Sequence, residues 1–373
     1  MGCACHRRQL NLRLDNPITS LEPVTHFLFG ANLGRAGLNR KTALATATLT
    51  LAAEAADLDV FSLFGGPAFG LNHHRGFTHS ILGVPIVASI VVAFVYLIWR
   101  LRRRPIKNPA LPPRWSVLFL FACLAGLSHI LLDFTNNYGI RPWWPFSERW
   151  ISWDIVFIVD PVILLALVLG LVVPGLFSLV NEEIGAKQKG PPGRVAATIA
   201  LIVVVTWWGL RNYEHTRAVA ALEARSYQSS YPLRASAYPY WINPFRWHGV
   251  VEAPAFFATT DVDSLTPEVD PDNTMRIHFK PEETPVTLAA KESYLGRVFL
   301  SWAQYPITET EELASNPADN SQAAYVVRLR DLRYAYPRQD SSRTMLGARV
   351  FLTHDLQVVA EEMGVRSAPS RQK

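Results

Sequence analysis

Cysteine is scarce in this chain: its 373 residues include only Cys3, Cys5 and Cys123. Three cysteines cannot build the disulfide framework that holds small secreted domains together, and they do not reveal the redox compartment. Cys3, Cys5 and His6 lie in a short basic segment, where we interpret them as incidental rather than as a metal site. The same segment has no continuous apolar core of the kind that a cleavable signal peptide requires.

Charged residues are also few, at 18% of the chain, whereas hydrophobic residues make up 49% and eleven residues are tryptophan. The formal net charge of +5 would fit a nucleic-acid partner. However, the basic residues crowd beside apolar runs, which is typical of membrane topology. We therefore expect the lipid bilayer as the main partner and no nucleic acid.

Long apolar runs are absent after residue 212, but four precede it, each near the length needed to cross a bilayer. These runs are residues 81–99, 116–133, 155–180 and 195–210. Two shorter apolar segments rich in small side chains, 24–37 and 42–56, come before them and suit close helix packing. The sequence therefore predicts a mainly α membrane bundle of four long spans plus an N-terminal short-helix hairpin.

The remainder of the chain has the pattern of a soluble domain. Alternating apolar residues predict strands at 325–334 and 348–352, and more weakly at 249–257 and 276–279. Residues 212–226 and 355–363 have a helical pattern. We predict three parts, which are a flexible basic tail (1–23), a membrane-embedded domain (24–211) and a soluble, mainly β (α+β) domain (212–373). No protein partner for the last part is indicated.

His129 and Asp133 lie near the end of the second long run, four residues apart. This spacing puts an imidazole and a carboxylate on one helical face, where both can bind one cation. The alternative is a helix-end histidine beside a boundary aspartate. Ionisable groups at membrane depth are costly and usually functional, which favours the metal hypothesis.

Other histidines and acids occur at matching positions along the chain. His26 begins the first short helix, Asp57 and Asp59 end the second, and His74 and His79 precede the first long run. If the helices alternate in direction, all these groups reach one end of the bundle. Taken singly, each has another interpretation, since Thr25-His26 could be a helix cap and the two aspartates a solvated helix end.

Together these segments resemble a known family, the bacterial membrane-bound, metal-dependent hydrolases that include LexA-regulated inner-membrane proteins. The residues that carry the resemblance are Thr25-His26, Asp57-Leu-Asp59, the stretch from His74 to Ser80, and His129 to Asp133 with Thr135 and Tyr138-Gly139. The resemblance covers roughly residues 17–165. That family is similar to zinc-dependent phospholipase C and P1-type nucleases, all-helical enzymes that cleave phosphoesters.

The resemblance implies a ligand set and a reaction. The best ligand candidates are His26, Asp57, His79, His129 and Asp133, followed by Asp59 and His74. These would hold one or two divalent ions, with zinc expected, and hydrolyse a lipid or lipid-linked phosphoester.

Three residues are candidates for further catalytic roles. Asp59 or Glu54 would act as general base, and Arg75 would clamp phosphate or anchor at the lipid headgroups. Glu54 and Ala56 stand where the family usually has Asn and Pro. Glu54 could add an anionic ligand, or the missing proline could loosen the turn.

Two other functions fit the same residues, namely a non-catalytic membrane scaffold and a metal-binding transport protein. Four spans without an inverted repeat are few for a transporter. The positive-inside rule puts the basic loops around Arg40, Arg100 and Arg194 in the cytoplasm. We therefore predict a multi-pass inner-membrane protein whose metal site and C-terminal domain face outward.

Overall fold

The computed structural model describes residues 22–102, 111–183, 193–314, 322–337 and 346–364. The predicted tail (1–23) falls almost wholly outside the described residues, as does most of the basic loop after Arg102. The N-terminal half is helical. Its helices are α1 (Glu22–Arg35), α2 (Ala45–Glu54), α3 (Pro67–His73), α4 (Gly83–Arg102), α5 (Trp115–Thr135), α6 (Pro161–Glu183) and α7 (Arg194–Glu223), with a 3-10 segment at Ala55–Gly65 and a 3-10 turn at Phe77–His79.

Three of the described helices, α4, α5 and α7, are long and apolar enough to cross a membrane. In α6 the described apolar part is shorter, Pro161–Phe177, so a fourth span stays a prediction. Ile86, Ile90, Phe94 and Leu97 form an exposed stripe along α4. Their spacing of three to four residues keeps them on one face, as expected for a helix surface that contacts lipid.

The start of α6 differs from the predicted run at 155–180. Residues 155–159 are apolar but not helical, and the amide of Ile155 donates to the carbonyl of Thr135. The helix begins at Pro161 because Asp160 caps it, accepting from the amides of Val162 and Ile163 at 2.9 and 3.1 Å. Proline and a preceding aspartate are favoured at a helix start, so the Asp160-Pro161 pair marks a boundary rather than a kink within a span.

Small residues bring the helices close together. In α1, Gly30 faces the Leu49 carbonyl and the Ala53 side chain of α2, and a Cβ atom at Gly30 would lie 2.7 Å from that carbonyl oxygen. Alanines continue this packing through α2, α4 and α5, where the core cluster contains Leu49, Ala52, Ala53, Ala88, Val91, Val95, Ala122 and Ala125. Small side chains let helix backbones approach each other closely within a membrane bundle.

The C-terminal domain contains two antiparallel sheets. The first pairs β1 (Arg234–Pro239), β2 (Arg246–Glu252), β3 (Phe256–Asp263), β4 (Glu268–Val269) and β5 (Arg276–Phe279), with β5 beside β3. Helices α8 (Pro285–Glu292) and α9 (Tyr294–Trp302) follow. The second sheet has the order β6 (Pro306–Glu312), β7 (Tyr325–Asp331), β8 (Gly347–Leu352) and β9 (Val358–Met363).

The predicted strands at 325–334, 348–352 and 276–279 are confirmed as β7, β8 and β5. The predicted segment 249–257 instead contains the end of β2, the turn after it and the start of β3. The predicted helix at 355–363 is wrong, because residues 358–363 form β9, which pairs with β8. Five of the six residues are Val, Ala or Glu, which together do not decide between helix and strand. Pairing with the neighbouring strand makes the segment a strand. The helical pattern at 212–226 belongs to α7, which continues without a break across the predicted domain boundary at 211/212.

Two elements join the halves of the molecule. The end of α7 packs against the first sheet, where Ala218 and Leu222 contact a core that includes Trp247 and Val251. Leu71 of α3 joins the core of the second sheet and helices α8 and α9. The C-terminal domain therefore packs on one end of the helical bundle. This is the end at which α3 and its flanking loops lie.

Candidate metal centre

Four side chains from three separate segments meet at that end of the bundle. Asp57 comes from the 3-10 segment, His79 from the 3-10 turn before α4, and His129 and Asp133 from the last two turns of α5. One ligand atom from each lies within 4.8 Å of the other three. The convergence of imidazoles and carboxylates predicted from the sequence is therefore present in the fold.

The distances within this group, which we call the four-residue cluster, match one coordination sphere. The Nε2 atoms of His79 and His129 are 2.9 Å apart. Asp133 Oδ2 lies 3.2 and 3.4 Å from these nitrogens, and Asp57 Oδ1 lies 3.5 Å from each. A tetrahedral ion bound at about 2.0–2.1 Å would separate its ligand atoms by about 3.3 Å. The four side chains could therefore hold one metal ion.

Both histidines are oriented by contacts of their other ring nitrogen. His129 Nδ1 lies 2.6 Å from the carbonyl oxygen of Ala53. His79 Nδ1 lies 3.1 Å from Asp59 Oδ2 and 3.0 Å from the Thr78 hydroxyl. An Nδ1–H group that donates to such an acceptor leaves the Nε2 lone pair for a cation, and this arrangement accompanies most metal-binding histidines.

Asp133 presents its two carboxylate oxygens to different neighbours. Oδ1 accepts from the Arg75 guanidinium at 3.0 Å and lies 3.3 Å from His26 Nε2. Oδ2 faces the two cluster histidines, and within the described chain no hydrogen-bond donor is aligned with it. A buried carboxylate oxygen is costly to leave without a partner, so this atom fits a role as a cation ligand.

His26 borders the four-residue cluster without belonging to it. Its ring stacks on His129 with centroids 3.8 Å apart. Beside it is a cavity of about 20 Å³, lined by polar Thr25, His26, Asp133 and Asp160 and by apolar side chains. That volume is sufficient for one water molecule, and Thr25 Oγ1 and His26 Nδ1 are buried polar atoms that would bind it.

Asp59 and His74 form a pair behind His79. Asp59 Oδ1 lies 2.8 Å from His74 Nδ1, and Oδ2 accepts from the Arg75 amide and the Thr78 hydroxyl. Burial alone would raise the pKa of the Asp59 carboxyl, but hydrogen bonds from His74 and His79 outweigh it and lower that pKa. The contacts of Asp59 are those of a residue that orients His79.

Arg75 and Glu54 are the other two candidate catalytic residues that the sequence predicts. The Arg75 guanidinium is buried and donates to Asp133, to the Asn136 side chain and to the Gly139 carbonyl. Glu54 lies at the end of α2, where burial and the neighbouring Asp57 carboxylate raise its pKa to about 7. A phosphate clamp by Arg75 and base catalysis by Glu54 remain predictions.

Several contributors could not be recognised as partners from the sequence. The carbonyl of Ala53 carries no side-chain signal, and the pairing of Arg75 with Asp133 joins residues 58 positions apart. Thr78 lies within the stretch that carries the resemblance and was not assigned a role. Arg141 donates to the carbonyls of Asn72 and His74 and thereby fixes the loop that bears the site.

These features define a class of protein. It is a helical membrane protein that holds a buried cluster of histidine and aspartate at one end of its bundle and carries a C-terminal domain with two antiparallel sheets. A family model described as YdjM inner membrane protein matches residues 21–218, which is more than half of the chain. The chain therefore belongs to the YdjM inner membrane protein family.

One relative is similar to this chain over more than the residues that the family model matches. The protein YfhP of Bacillus subtilis (strain 168) is 26% identical over 350 residues, covering 91% of this chain and 94% of its own length. The alignment thus includes the C-terminal domain as well as the helical bundle. No solved structure gives a significant match to this chain.

Proposed function

We propose that this protein is an integral membrane metal-dependent hydrolase that cleaves a phosphoester. The observation that carries the proposal is the four-residue cluster, in which two imidazole nitrogens and two carboxylate oxygens converge at the spacing of one coordination sphere. Zinc suits this mixture of nitrogen and oxygen ligands. We further propose a single ion, because the Arg75 guanidinium at Asp133 Oδ1 would repel a second cation there.

A bound divalent ion would lower the pKa of a coordinated water and polarise a phosphoryl oxygen. The residues around it have separate tasks. His79, His129, Asp57 and Asp133 bind the ion, and Asp59 keeps His79 Nε2 directed at it. Glu54 is the better candidate for general base, because its buried Oε1 has no hydrogen bond among the described residues, whereas both Asp59 oxygens are engaged.

The surroundings of the cluster favour a lipid or lipid-linked substrate. Phe61 and Phe64, in the same 3-10 segment as Asp57, are 60% and 78% exposed. On the neighbouring loop Trp143 and Phe146 are exposed at 57% and 87%. Exposed aromatic rings beside apolar helices are typical of the membrane interface, where a lipid headgroup would lie level with the cluster.

The contacts at the opposite end of the bundle support the predicted orientation. Arg35 donates to the Leu171 carbonyl, and Arg194 donates to the carbonyl of Ala36. The amide of Arg114 donates to Thr42, next to Lys41. These basic positions therefore share one end, which we propose is cytoplasmic, with the cluster and the C-terminal domain outside.

One observation favours an alternative function, that of a non-catalytic metal site. His79, His129 and Asp133 are almost fully buried, and only Asp57 among the four is partly exposed, at 19%. Closed sites of this kind are typical of structural metals, whereas catalytic sites keep a position for water or substrate. Under this alternative the protein would bind the ion tightly and show no turnover.

The test uses the full-length protein purified in detergent. Elemental analysis measures the bound metal, and hydrolysis is then followed with a chromogenic phosphodiester and with phospholipid in mixed micelles. We expect metal-dependent hydrolysis that His79→Ala abolishes while insertion into the membrane stays normal, since the apolar helices direct insertion. Bound metal without hydrolysis of either substrate would favour the structural alternative, and wild-type turnover by His79→Ala would refute its role.

A further inference from the structure

The turn that follows α5 lies between the candidate metal centre and the C-terminal domain. We call residues 136–139 the post-α5 turn. On its inner side Arg75 donates to the Asn136 side chain at 3.2 Å and to the Gly139 carbonyl at 3.0 Å. The same guanidinium lies 4.7 Å from the centre of the Tyr138 ring and donates to Asp133 Oδ1. The position of this turn therefore determines where Arg75 holds the Asp133 carboxylate.

The outer side of the turn is bound by three donors of the C-terminal domain. Arg333 donates to the carbonyl of Asn137 at 3.1 Å, and the Tyr334 hydroxyl donates to the same oxygen at 3.0 Å. Trp302 Nε1 donates to the carbonyl of Tyr138 at 3.1 Å. Two successive backbone carbonyls near the candidate ligand Asp133 thus accept hydrogen bonds from side chains 164 to 197 residues away.

Arg333 is itself held in one orientation. Its Nε donates to Asp331 Oδ2 at 2.8 Å and its remaining terminal nitrogen donates to the Trp302 carbonyl at 3.0 Å. Arg333 and Asp331 are 1% and 0% exposed. Buried ion pairs contribute little net stability, so a pair directed at this turn is better explained by the geometry that it imposes. A lysine could keep the charge but could not donate in three fixed directions.

We propose that Arg333, with Tyr334, is a positioning residue of the metal centre, acting through the post-α5 turn and Arg75 on Asp133. The C-terminal domain is then part of the metal site, and the affinity for metal depends on its being docked. By reciprocity, metal binding strengthens the docking of that domain by the same factor. This inference rests on the proposed metal binding and is independent of whether the bound metal performs catalysis.

The experiment measures zinc affinity of the full-length protein in detergent by competition with a chromogenic chelator. Tyr334→Phe removes one hydrogen bond to Asn137 and leaves the buried ion pair intact, so we expect zinc affinity to weaken by up to about fivefold, the usual worth of one such bond. Arg333→Lys should weaken affinity about 10–100-fold, as for other residues that orient ligands indirectly. Arg328→Lys is the matched control, since Arg328 pairs with Glu311 on the exposed face of the second sheet.

Thermal unfolding of the metal-free variants separates positioning from a structural role. We expect metal-free Tyr334→Phe to stay folded, with a midpoint lowered by only a few degrees, the effect of about 1 kcal/mol, while its affinity falls. Wild-type affinity in folded Tyr334→Phe and Arg333→Lys would overturn this inference alone. If Arg333→Lys does not fold, Tyr334→Phe decides the question. A wild-type protein that binds no divalent ion would overturn both this inference and the proposed function.

Discussion

The Nε2 atoms of His79 and His129 face each other at 2.9 Å, with carboxylate oxygens of Asp57 and Asp133 no more than 3.5 Å from both. Two neutral imidazoles could share one proton at this distance. Both Nδ1 atoms, however, lie against acceptors. With the ring protons on Nδ1, the two Nε2 lone pairs would oppose each other. A cation between these nitrogens and the carboxylates would remove that repulsion.

Metal content should depend on the pair in α5. His129→Ala and Asp133→Ala each remove one of four ligands, and we expect bound metal, measured by elemental analysis, to fall more than tenfold. His215→Ala is the control, because His215 packs on Trp247 in the C-terminal domain, with ring centroids 5.3 Å apart. An unchanged metal-to-protein ratio in both α5 variants would refute the assignment of the cluster.

Asp59 should affect affinity without being a ligand. Asp59→Ala leaves His79 free to rotate, so we expect zinc affinity about 10–100-fold weaker but still measurable, since all four cluster ligands remain. The zinc affinity of Asp59→Asn should lie between the affinities of wild type and Asp59→Ala. The amide oxygen can still accept from His79, but the NH₂ group faces a donor that the carboxylate would have accepted from. The same chelator competition tests this order, and complete loss of metal in Asp59→Asn would identify Asp59 as a ligand instead.

The residue types of the candidate site and their places at helix ends could be predicted from the sequence, because hydropathy locates the helices and polar residues at membrane depth stand out. Four of the seven predicted ligands, Asp57, His79, His129 and Asp133, form the cluster. His26, Asp59 and His74 lie beside it, and distinguishing these roles requires the directions of individual side chains. Spacing along the chain does not contain that information.

The features of the fold that could not be predicted from the sequence have physical causes as well. Residues 155–160 have the hydropathy of a span, yet Asp160 and Pro161 together set the helix start one turn and a half later. Residues 358–363 have no decisive propensity for helix or strand, and pairing with β8 makes them a strand. The contact of Arg333 with Asn137 joins positions 196 residues apart, which no local pattern can reveal.

Asp154 should make the stability of the protein fall as pH rises. Burial raises the pKa of its carboxyl from 3.8 to about 6, only partly offset by a hydrogen bond from Ser152. The folded state therefore holds this proton more tightly than the unfolded state. Stability is unaffected below pH 3.8, is lost between pH 3.8 and 6, and above pH 6 is lower by up to about 3 kcal/mol.

Asp154→Asn removes this penalty, because the amide is neutral at every pH. We expect a higher midpoint of thermal unfolding than wild type at pH 7.5 and a smaller difference at pH 5. Asp355→Asn, which changes an exposed carboxylate, should shift the midpoint little at either pH. A wild-type protein whose stability relative to Asp154→Asn does not change between pH 5 and 7.5 would contradict the argument.

Orientation follows from the basic positions gathered at one end of the bundle. Arg35, Arg114 and Arg194 lie at the end opposite the four-residue cluster, and the positive-inside rule predicts that this end is cytoplasmic. The helix α7 then carries the chain outward into the C-terminal domain. Reporters fused after Lys373, one active only outside the inner membrane and one only in the cytoplasm, should show an outside C-terminus. A cytoplasmic signal would reverse the predicted topology and put the cluster on the inner face, where any lipid substrate would have to come from the cytoplasmic leaflet.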